Sequence, residues 1–454
     1  MMTSGAFRYA VVLAAGKGAR FKSAESKVLH RICGRPMIAY LLDRLPELNI
    51  EKTFIVVDSA SGDIREALER YDPEFIVQEK QLGTGHAIIC TLDTIRKLEG
   101  SLLVLYGDTP FVKTGHLEAL LEACEEGGCD EALLTTELDD PTGYGRIIKD
   151  PSGSPADIIE EREASSRQRE IREINAGFAC FRIPALVSHI ENLSNDNRSG
   201  EYYLTDMVKI LRAAGRTVQT VPVPAGDEIF GINDRLQLAA AEKQLQRRIM
   251  AELMTSGVTV RNPETVVIHS TVSIGNDTCI QPGTVLEGEC RIGAGCTVGP
   301  NAHLVNAVVG DGTAIANGCT ITDCVIGRNC RIGPSAHLRD GALLGDEVRI
   351  GNFVEVKHST IGDGTTAAHL SYLGDAVIGN RVNIGAGTIT CNFDGTRKNS
   401  TWIEDESFIG SGTQLIAPVR IGRGALVAAG STITEDVPPG MLGIARSRQV
   451  NRER

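Results

Sequence analysis

The hydrophobic pattern of the C-terminal half has a period of about six residues. Between Ile274 and Ile421 a branched aliphatic residue followed by glycine recurs, and most intervals between these pairs are six residues or a multiple of six. This period is too short for a helical repeat and is typical of a parallel β-helix, in which one aliphatic side chain per hexapeptide points inward. Glycine at the next position permits a tight corner without a Cβ clash. The pattern therefore predicts triangular coils of about eighteen residues.

The N-terminal half has a different pattern, in which short β-rich runs alternate with helical ones. The predicted strands are 9–13, 53–57 and 101–106, and the predicted amphipathic helices are 36–45, 84–97 and 116–124. This alternation predicts a mostly parallel sheet with helices on both faces and ligands at the carboxyl ends of the strands. Residues 131–182 are rich in strands and turns, so we expect an inserted antiparallel portion over the same site.

A strongly helix-forming run separates the two halves. Residues 234–254 carry one apolar stripe, made by Leu238, Ala241, Leu245, Ile249 and Leu253. We therefore expect an α/β domain over residues 1–232, a helical linker over 233–254 and a β-helix domain with a C-terminal tail over 255–454. The repeat should end near Thr432.

Composition and charge exclude several classes of protein. The formal net charge of −12 argues against a general nucleic-acid binder but leaves room for local cations that bind small anions. No apolar run approaches the length of a membrane span, and the first residues lack the pattern of an export signal. The twelve cysteines occur singly, without a metal-binding spacing. We expect reduced, buried thiols and a cytoplasmic location.

The first candidate site follows the first predicted strand, in the glycine-rich segment 13–20. Small residues there let backbone N–H groups approach a phosphate, and Lys17 and Arg20 add cationic donors. The segment fits neither the P-loop nor the dinucleotide fingerprint, and by itself it could equally be a structural loop. Lys27, the turn before residue 84 and Asp108 at a strand end are further candidates. Asp108 suits a cation that bridges phosphates, although such residues usually form turns.

The second candidate site is an interruption of the six-residue rhythm between Ile384 and Ile409. The excursion contains Asn392, Lys398 and the sole tryptophan, Trp402. Insertions in solenoids project as loops on one face and often bind ligands. Two histidines, His358 and His369, lie just upstream. A single histidine in a coil is more often a surface or hydrogen-bonded residue than a catalyst, and His358 keeps that interpretation.

Together these segments resemble a known family of enzymes. The motifs that carry the resemblance are LAAGKGAR, SKVL, QLGTGHA, YGD, GYGR, EINAG and GIND in the first half and GDAVIGNRVNIGAGTITCNFDG in the second. From about Ala10 to Arg446 the chain resembles the bifunctional bacterial N-acetylglucosamine-1-phosphate uridylyltransferases and glucosamine-1-phosphate acetyltransferases. The resemblance implies a Rossmann-like α/β nucleotidylyltransferase domain joined by a helix to a left-handed parallel β-helix.

The resemblance also implies the residues of the uridylyl-transfer site. Those implied to bind UTP or UDP-N-acetylglucosamine are Leu13, Ala14, Ala15, Gly16, Lys17, Lys27, Gln78, Gly83, Thr84, Tyr106, Gly107, Asp108, Gly145, Glu160, Asn175 and Asn233. Lys27 is implied to be catalytic, and Asp108 with Asn233 would bind Mg²⁺. Without the resemblance Asn233 would be interpreted as the N-cap of the linker helix. Ser26 stands where the family usually has proline.

The acetyl-transfer residues are implied in the same way, with His369 as the general base. Those implied to bind glucosamine-1-phosphate are Arg339, Lys357, Tyr372, Asn383 and Lys398, and those implied to contact acetyl-CoA are Ala386, Asn392, Phe393, Ser411, Ala429 and Arg446. We further expect Glu355 to orient His369. Phe393 replaces the tyrosine that is common in the family.

The resemblance implies that the enzyme acetylates glucosamine-1-phosphate and then transfers UMP from UTP to the product, with Mg²⁺ as cofactor. It also implies a homotrimer, no nucleic-acid partner, and a role in peptidoglycan and lipid A synthesis. One alternative is a monofunctional nucleotidylyltransferase whose β-helix only drives oligomerisation. Another is a trimeric scaffold without enzymatic activity.

Overall fold

The structure is a computed structural model that describes residues 7–16, 18–224, 229 and 231–453. The chain divides into two compact units, Met1–Ala241 and Glu242–Arg454. The division lies within the helix Arg235–Thr255, which is the helix predicted between the two halves. The domain boundaries that we expect at 232 and 254 stay predictions. No helix in the described part of the chain is long and apolar enough to cross a membrane.

The first unit is built on a central mixed sheet. Its strand order is Val218–Pro222, Glu131–Glu137, Glu173–Arg182, Ser101–Tyr106, Arg8–Leu13, Lys52–Val57 and Glu74–Val77. The three strands predicted from the sequence are neighbours in the middle of this sheet and run parallel, with Leu13 paired to both Val56 and Tyr106. Their side chains are buried on both faces, as expected for central strands covered by helices.

The antiparallel portion differs from the sequence prediction. Glu131–Glu137 and Glu173–Arg182 lie within the central sheet, and the hairpin Arg146–Lys149 and Pro155–Ile159 branches from that sheet where Arg146 pairs with Ile174. The antiparallel pairing expected for residues 131–182 is confirmed, but these strands belong to the central sheet and are not an insertion over it. The reason is burial, because the first six residues of Glu131–Glu137 are buried and need cover on both faces.

Helices pack against the faces of this sheet. In chain order they are Met37–Leu42, Gly62–Leu68, Thr84–Ile89, Leu92–Ile95, Thr114–Glu125, Ser166–Arg169, Ile183–His189 and Met207–Ala213. The single helix predicted over 84–97 is two helices, and the Thr91 hydroxyl at the break donates to the Ile88 carbonyl at 2.7 Å. The helix predicted over 36–45 ends at Leu42, and a 3₁₀ turn, Leu45–Leu48, follows it.

The second unit is a parallel β-helix with three faces. The first face contains Thr259–Val260, Cys279–Ile280, Thr297–Val298, Ala314–Ile315, Arg331–Ile332, Asn383–Ile384, Phe408–Ile409, Leu426–Val427 and Leu442–Gly443. The second contains Val267–Ile268, Val285–Glu287, His303–Val305, Thr320–Thr322, His337–Arg339, Ile389–Cys391, Gln414–Ile416 and Thr432–Ile433. The third contains Ser273–Ile274, Arg291–Ile292, Val308–Val309, Val325–Ile326, Leu343–Leu344, Thr360–Ile361, Ala376–Ile378, Thr401–Ile403 and Val419–Ile421. Two long strands, Arg349–Lys357 and Thr366–Gly374, run through the first and second faces.

The register of the coils confirms the six-residue prediction. Ile280 pairs with Val298 one coil on, and Val298 pairs with Ile315. All three are buried, so each coil contributes aliphatic side chains to one continuous core. The glycine after each aliphatic residue is required by the next coil, since a Cβ at Gly275 would lie 2.6 Å from the Ala294 nitrogen.

Small polar side chains inside the β-helix donate hydrogen bonds to backbone carbonyls of the following coil. Thr278 and Thr313 donate through their hydroxyls to the carbonyls of Gly293 and Gly327. Cys296 does the same through its thiol, to the Gly310 carbonyl at 3.3 Å. The described cysteines form no disulfide, as predicted, and most are buried, although Cys90, Cys279 and Cys391 are partly exposed.

The interruption of the rhythm is shorter than the sequence suggests. Thr401 pairs with Ala376, so Trp402 lies in the wall of the β-helix and not in the excursion. The residues outside the strands are 392–400, closed by an isolated bridge between Phe393 and Lys398. The β-helix also continues beyond Thr432, because Leu442–Gly443 pairs with Leu426–Val427.

Glu131 gives a prediction about pH and stability. It is 0 % exposed, and neither carboxylate oxygen has a hydrogen-bond partner among the described residues. Burial, with Cys129 nearby, raises its pKa well above the ordinary value. Because the folded state binds this proton more tightly, the stabilisation is complete below the unfolded-state pKa and is lost as pH rises through the folded-state pKa. Glu131→Met should therefore raise the thermal unfolding midpoint more at pH 9 than at pH 6.

Calorimetry of the full chain at both pH values measures this difference. Glu137→Met, at the exposed end of the same strand, is the matched control and should leave the pH dependence unchanged. Equal gains for Glu131→Met at pH 6 and pH 9 would contradict the assignment of an uncompensated buried carboxyl.

Candidate active sites

A cavity of about 480 Å³ lies at the carboxyl ends of the central strands in the first unit. It brings together ten of the predicted residues: Leu13, Ala14, Ala15, Gly16, Lys27, Gln78, Gly83, Thr84, Tyr106 and Asp108. Its position agrees with the rule that ligands of α/β sheets bind beyond the carboxyl ends of strands. Lys17, also predicted for this site, lies outside the described residues.

The glycine-rich segment has one open glycine and one crowded glycine. A Cβ at Gly16 would meet nothing within 4 Å, so the space beside it is available to a ligand. Gly18 has φ 55° and a Cβ there would lie 2.9 Å from the Lys27 Cβ. Gly107 is similarly close-packed, against Val28 and Ile38 at 3.1 and 3.2 Å. The segment is therefore both a tight packing unit and an open edge of the cavity.

Lys27 lies at the centre of the polar side of the cavity. Its ammonium donates to the side-chain carbonyl oxygen of Asn233 at 2.9 Å and forms an ion pair with the Asp108 carboxylate. The Arg20 guanidinium donates to the same Asn233 oxygen at 3.0 Å. Both oxygen-bearing side chains thus converge on a cation, and their donor type fits a hard divalent ion such as Mg²⁺, which needs few protein ligands when phosphates supply others.

Asn233 is not the cap of the following helix. The Asp234 carboxylate accepts from the Gln237 backbone N–H at 2.8 Å, and the Gln237 side chain accepts from the Asn233 backbone N–H at 2.6 Å. Asp234 therefore does the capping at the start of Arg235–Thr255. The Asn233 side chain is therefore available to accept from Lys27 and Arg20. Of the two interpretations of Asn233, helix cap or part of the site, the structure favours the second.

The remaining predicted residues of this unit form a second group beside Tyr106. Asn175 donates its backbone N–H to the Gly145 carbonyl at 2.9 Å, and Glu160 accepts from the Thr205 hydroxyl at 2.9 Å. A Cβ at Gly145 would lie 3.5 Å from a Glu160 carboxylate oxygen. Burial raises the pKa of Glu160, and burial together with Glu160 raises that of Tyr106. The group is a compact polar wall in which hydrogen bonding to a ligand can select its orientation.

In the second unit, cationic side chains collect on the second face of the β-helix. Arg339 pairs in register with Lys357, one coil on. Lys398 reaches the same place from the 392–400 loop, where the adjacent Lys357 lowers the pKa of Lys398. Glu355 forms an ion pair with the Arg339 guanidinium at 2.7 Å, while Lys357 and Lys398 are neighbours. Such a pair of cations is suited to a phosphate.

His369 is exposed on the strand Thr366–Gly374, and its partner differs from the prediction. The Nδ1 of His369 lies 3.0 Å from the side-chain carbonyl oxygen of Asn352. Asn352 is the residue that pairs with His369 in the strand one coil earlier. Glu355 pairs with Tyr372 instead and binds Arg339, so the expectation that Glu355 orients His369 is wrong. An amide oxygen only accepts, so in the neutral ring Nδ1 carries the hydrogen and Nε2 has the lone pair. The sequence signal was present in the seventeen-residue spacing between Asn352 and His369.

The residues predicted to contact acetyl-CoA fall into two groups. Ala386, Ser411 and Ala429 occupy equivalent positions in successive coils, linked through the N–H groups of Gly412 and Gly430. Arg446 donates to the Ala429 carbonyl at 2.8 Å and extends this column.

Asn392 and the 61 % exposed Phe393 lie in the loop beside Tyr372, which Asn392 contacts at 3.3 Å. His369 precedes Tyr372 by three positions on one strand, and the corner at Leu370 lies between them. Asn383 is on the first face, between Thr366 and Phe408. One copy of the chain therefore does not bring all the predicted residues of this site together.

Three family models match parts of the chain. The MobA-like NTP transferase domain matches residues 10–180, the EIF2B subunit epsilon LbH domain matches 254–356, and the bacterial transferase hexapeptide (six repeats) matches 400–435. These matches agree with a nucleotidyltransferase fold followed by a left-handed β-helix, as the sequence predicts.

Curated relatives match almost the whole chain. The Bifunctional protein GlmU of Geobacillus thermodenitrificans (strain NG80-2) is 47 % identical over 446 residues, covering 98 % of this chain and 97 % of that protein. The proteins of the same name from Listeria monocytogenes serotype 4a (strain HCC23) and Clostridium botulinum (strain Langeland / NCTC 10281 / Type F) are 44 % and 40 % identical, with the same coverage. With such identity over nearly the full length of both chains, the chain belongs to the family of bifunctional GlmU proteins.

Proposed function

We propose that the chain makes UDP-N-acetylglucosamine in two steps, one in each unit. The β-helix unit transfers an acetyl group from acetyl-CoA to glucosamine-1-phosphate, and the α/β unit then transfers UMP from UTP to the product and releases pyrophosphate. The observation that carries this proposal is that each unit has its own centre of converging cations, around Lys27 and around Lys357. A cytoplasmic location and supply of precursors for peptidoglycan and lipid A belong to the same proposal.

In the α/β unit the reaction requires positioning and charge neutralisation rather than a covalent intermediate. The phosphate oxygen of N-acetylglucosamine-1-phosphate attacks the α-phosphorus of UTP, and the bond to the pyrophosphate breaks. Gly16 leaves space at the open edge of the cavity, and Lys27 supplies a cation beside the phosphates. Asp108 and Asn233 would hold Mg²⁺, which when bound neutralises phosphate charge. Gly145, Glu160 and Asn175 would orient the sugar.

In the β-helix unit the reaction requires a base and an anion-binding group. The unprotonated Nε2 of His369 accepts a proton from the sugar amine as its nitrogen attacks the thioester carbonyl, and the CoA thiolate leaves. Lys357, Lys398 and Arg339 would hold the sugar phosphate. This cation cluster speaks against a β-helix that serves only for oligomerisation.

Reciprocal variants test the division of labour. Incubation with UTP, acetyl-CoA and glucosamine-1-phosphate should yield UDP-N-acetylglucosamine, free thiol and pyrophosphate. Asp108→Ala should reduce pyrophosphate release by at least about 100-fold and leave thiol release intact, because it removes a charged ligand from one site only. His369→Ala should stop thiol release and spare UMP transfer to supplied N-acetylglucosamine-1-phosphate. His303→Ala, which removes a histidine bonded to Glu287 on the same β-helix, is the matched control. Loss of both activities in either folded variant would contradict the proposal.

Metal binding gives a test that does not depend on turnover. Lys27 occupies the space between Asp108 and Asn233, so its ammonium competes with a divalent ion for the same oxygens. Without nucleotide, Lys27→Met should bind Mn²⁺ at least about 5-fold more tightly than the wild type, since Coulomb repulsion is removed. Electron paramagnetic resonance titration of free Mn²⁺ measures this, with Asp108→Ala as the variant that should lose binding. Unchanged or weaker Mn²⁺ binding by Lys27→Met would argue against a shared site.

We further propose that the chain works as a homotrimer whose acetyl-transfer sites are shared between subunits. The separation of Asn383 and the Ala386 column from the Lys357 cluster supports a site completed by a second copy. Sedimentation equilibrium should then show a trimer, and conditions that dissociate it should abolish acetyl transfer while UMP transfer persists. A fully active monomer would contradict this arrangement.

A further inference from the structure

The carboxylate of Asp375 accepts a hydrogen bond from Asn392, one of the side chains predicted to contact acetyl-CoA. Asp375 lies at a corner of the β-helix with φ 50°, and only 12 % of its side chain is exposed. One carboxylate oxygen lies 2.8 Å from Nδ1 of His358, and the other, at 2.5 Å, accepts from the Asn392 amide nitrogen. The sequence singled out neither Asp375 nor a role for His358 beyond an ordinary hydrogen bond. The carboxylate therefore links a surface histidine to the loop that contains Asn392.

These contacts determine which way the Asn392 amide faces. A carboxylate has no hydrogen to give, so the atom of Asn392 against Asp375 must be the amide nitrogen. The same nitrogen donates to the Tyr372 hydroxyl at 3.3 Å, which uses its second hydrogen. Within the described part of the chain no donor is placed against the side-chain carbonyl oxygen of Asn392. That oxygen remains as an acceptor for an N–H group of a bound substrate.

The backbone around this contact is held from both sides. The Asp375 N–H donates to the Lys357 carbonyl at 3.1 Å, and the Thr401 N–H donates to the Asp375 carbonyl at 3.2 Å. The Asn399 backbone N–H donates to the backbone carbonyl of Asn392 at 2.7 Å, and this hydrogen bond closes the loop. The side chains of Asp375 and Asn392 therefore meet with little freedom, and a buried amide in such a setting keeps one orientation.

The charges that face Asp375 favour its ionised form. Burial opposes ionisation, but hydrogen bonds from His358 and Asn392 and the nearby charge of Lys398 together lower its pKa. An ionised carboxylate accepts hydrogen bonds more strongly than a neutral amide does. The hold on Asn392 thus depends on the charge of Asp375 as well as on its shape.

We propose that Asp375 is a positioning residue for acetyl transfer, which acts by holding the Asn392 amide with its carbonyl oxygen towards the substrates. The inference rests on the proposed acetyl-transfer function of this unit. Asp375 itself does not touch the reacting atoms; it acts through Asn392, and His358 holds the other carboxylate oxygen in place.

A second asparagine–aspartate hydrogen bond in the β-helix serves as a structural control for the one between Asn392 and Asp375. At the same corner three coils earlier, the Asn306 amide nitrogen donates to an Asp323 carboxylate oxygen at 2.9 Å, and Asn306 and Asp323 also have φ values near 50°. Among the described residues, the hydrogen bonds of Asn306 and Asp323 reach none of the residues predicted for acetyl transfer. Asp323→Asn therefore makes the same substitution in the same type of hydrogen bond, for purely structural comparison.

A double-mutant cycle on the full-length protein tests the proposal. In Asp375→Asn a single amide oxygen replaces the two carboxylate oxygens that bind His358 and Asn392, and the negative charge is lost, so the hydrogen bond that holds the Asn392 amide weakens. We expect kcat/KM for thiol release from acetyl-CoA, with glucosamine-1-phosphate as acceptor, to fall by about 10- to 100-fold. Asn392→Ala should lose a similar factor, and the double variant should lose no more than about 3-fold beyond Asn392→Ala, because both act through one contact.

The controls separate positioning from folding. Asp323→Asn should keep wild-type kinetics, and UMP transfer should be unchanged in every variant. Trp402 lies directly after the loop, in the strand Thr401–Ile403, so its fluorescence reports on local structure. The wavelength of its emission maximum should be the same in the variants as in the wild type. Additive losses in the double variant, wild-type kinetics in Asp375→Asn, or a loss accompanied by a shifted Trp402 emission would overturn the proposal. Absence of thiol release in the wild type would instead refute the proposed function.

Discussion

The backbone ladder between coils is the constraint on which the second unit depends. Each short strand has its N–H and C=O groups satisfied only by the coil before and the coil after, so every coil must return to the same register. Ile332 and Ile350 show this, since both lie inward and pair directly. Glycine is required wherever the next coil approaches too closely for a Cβ, as at Gly385, where a Cβ would lie 2.5 Å from the Ser411 nitrogen.

The same constraint decides where chemistry can be placed. Extra residues cannot enter the wall without breaking the ladder, so they leave it as the 392–400 loop, which carries Asn392 and Lys398 out over the second face. The coils that precede the loop are unusual in another way. Phe353 and Leu370 have positive φ values and are more than half exposed, within two strands that run on through a corner. His369 lies next to Leu370, so the proposed general base is located where the coil departs from its ordinary shape.

Local charge matters more than net charge in both units. The chain carries a formal charge of −12, yet Lys27 is drawn between two oxygen-bearing side chains and Lys357 faces Lys398. An ammonium pair in contact is unfavourable without an anion and becomes favourable with a phosphate between its members. The two sites therefore share one electrostatic principle, although one is built at the end of a parallel sheet and the other on the side of a β-helix.

The sequence by itself determined the period of the coils and the three central strands of the α/β unit, and its resemblance to a known family supplied the candidate residues of both sites. The period and the strands follow from local pattern, because burial of one face imposes a repeat. Tertiary structure alone decided that Glu131–Glu137 lies in the central sheet, that Asn352 rather than Glu355 contacts His369, and that Asp375 holds Asn392. Each of these depends on register between segments that are distant in sequence, where a shift of one residue changes every partner.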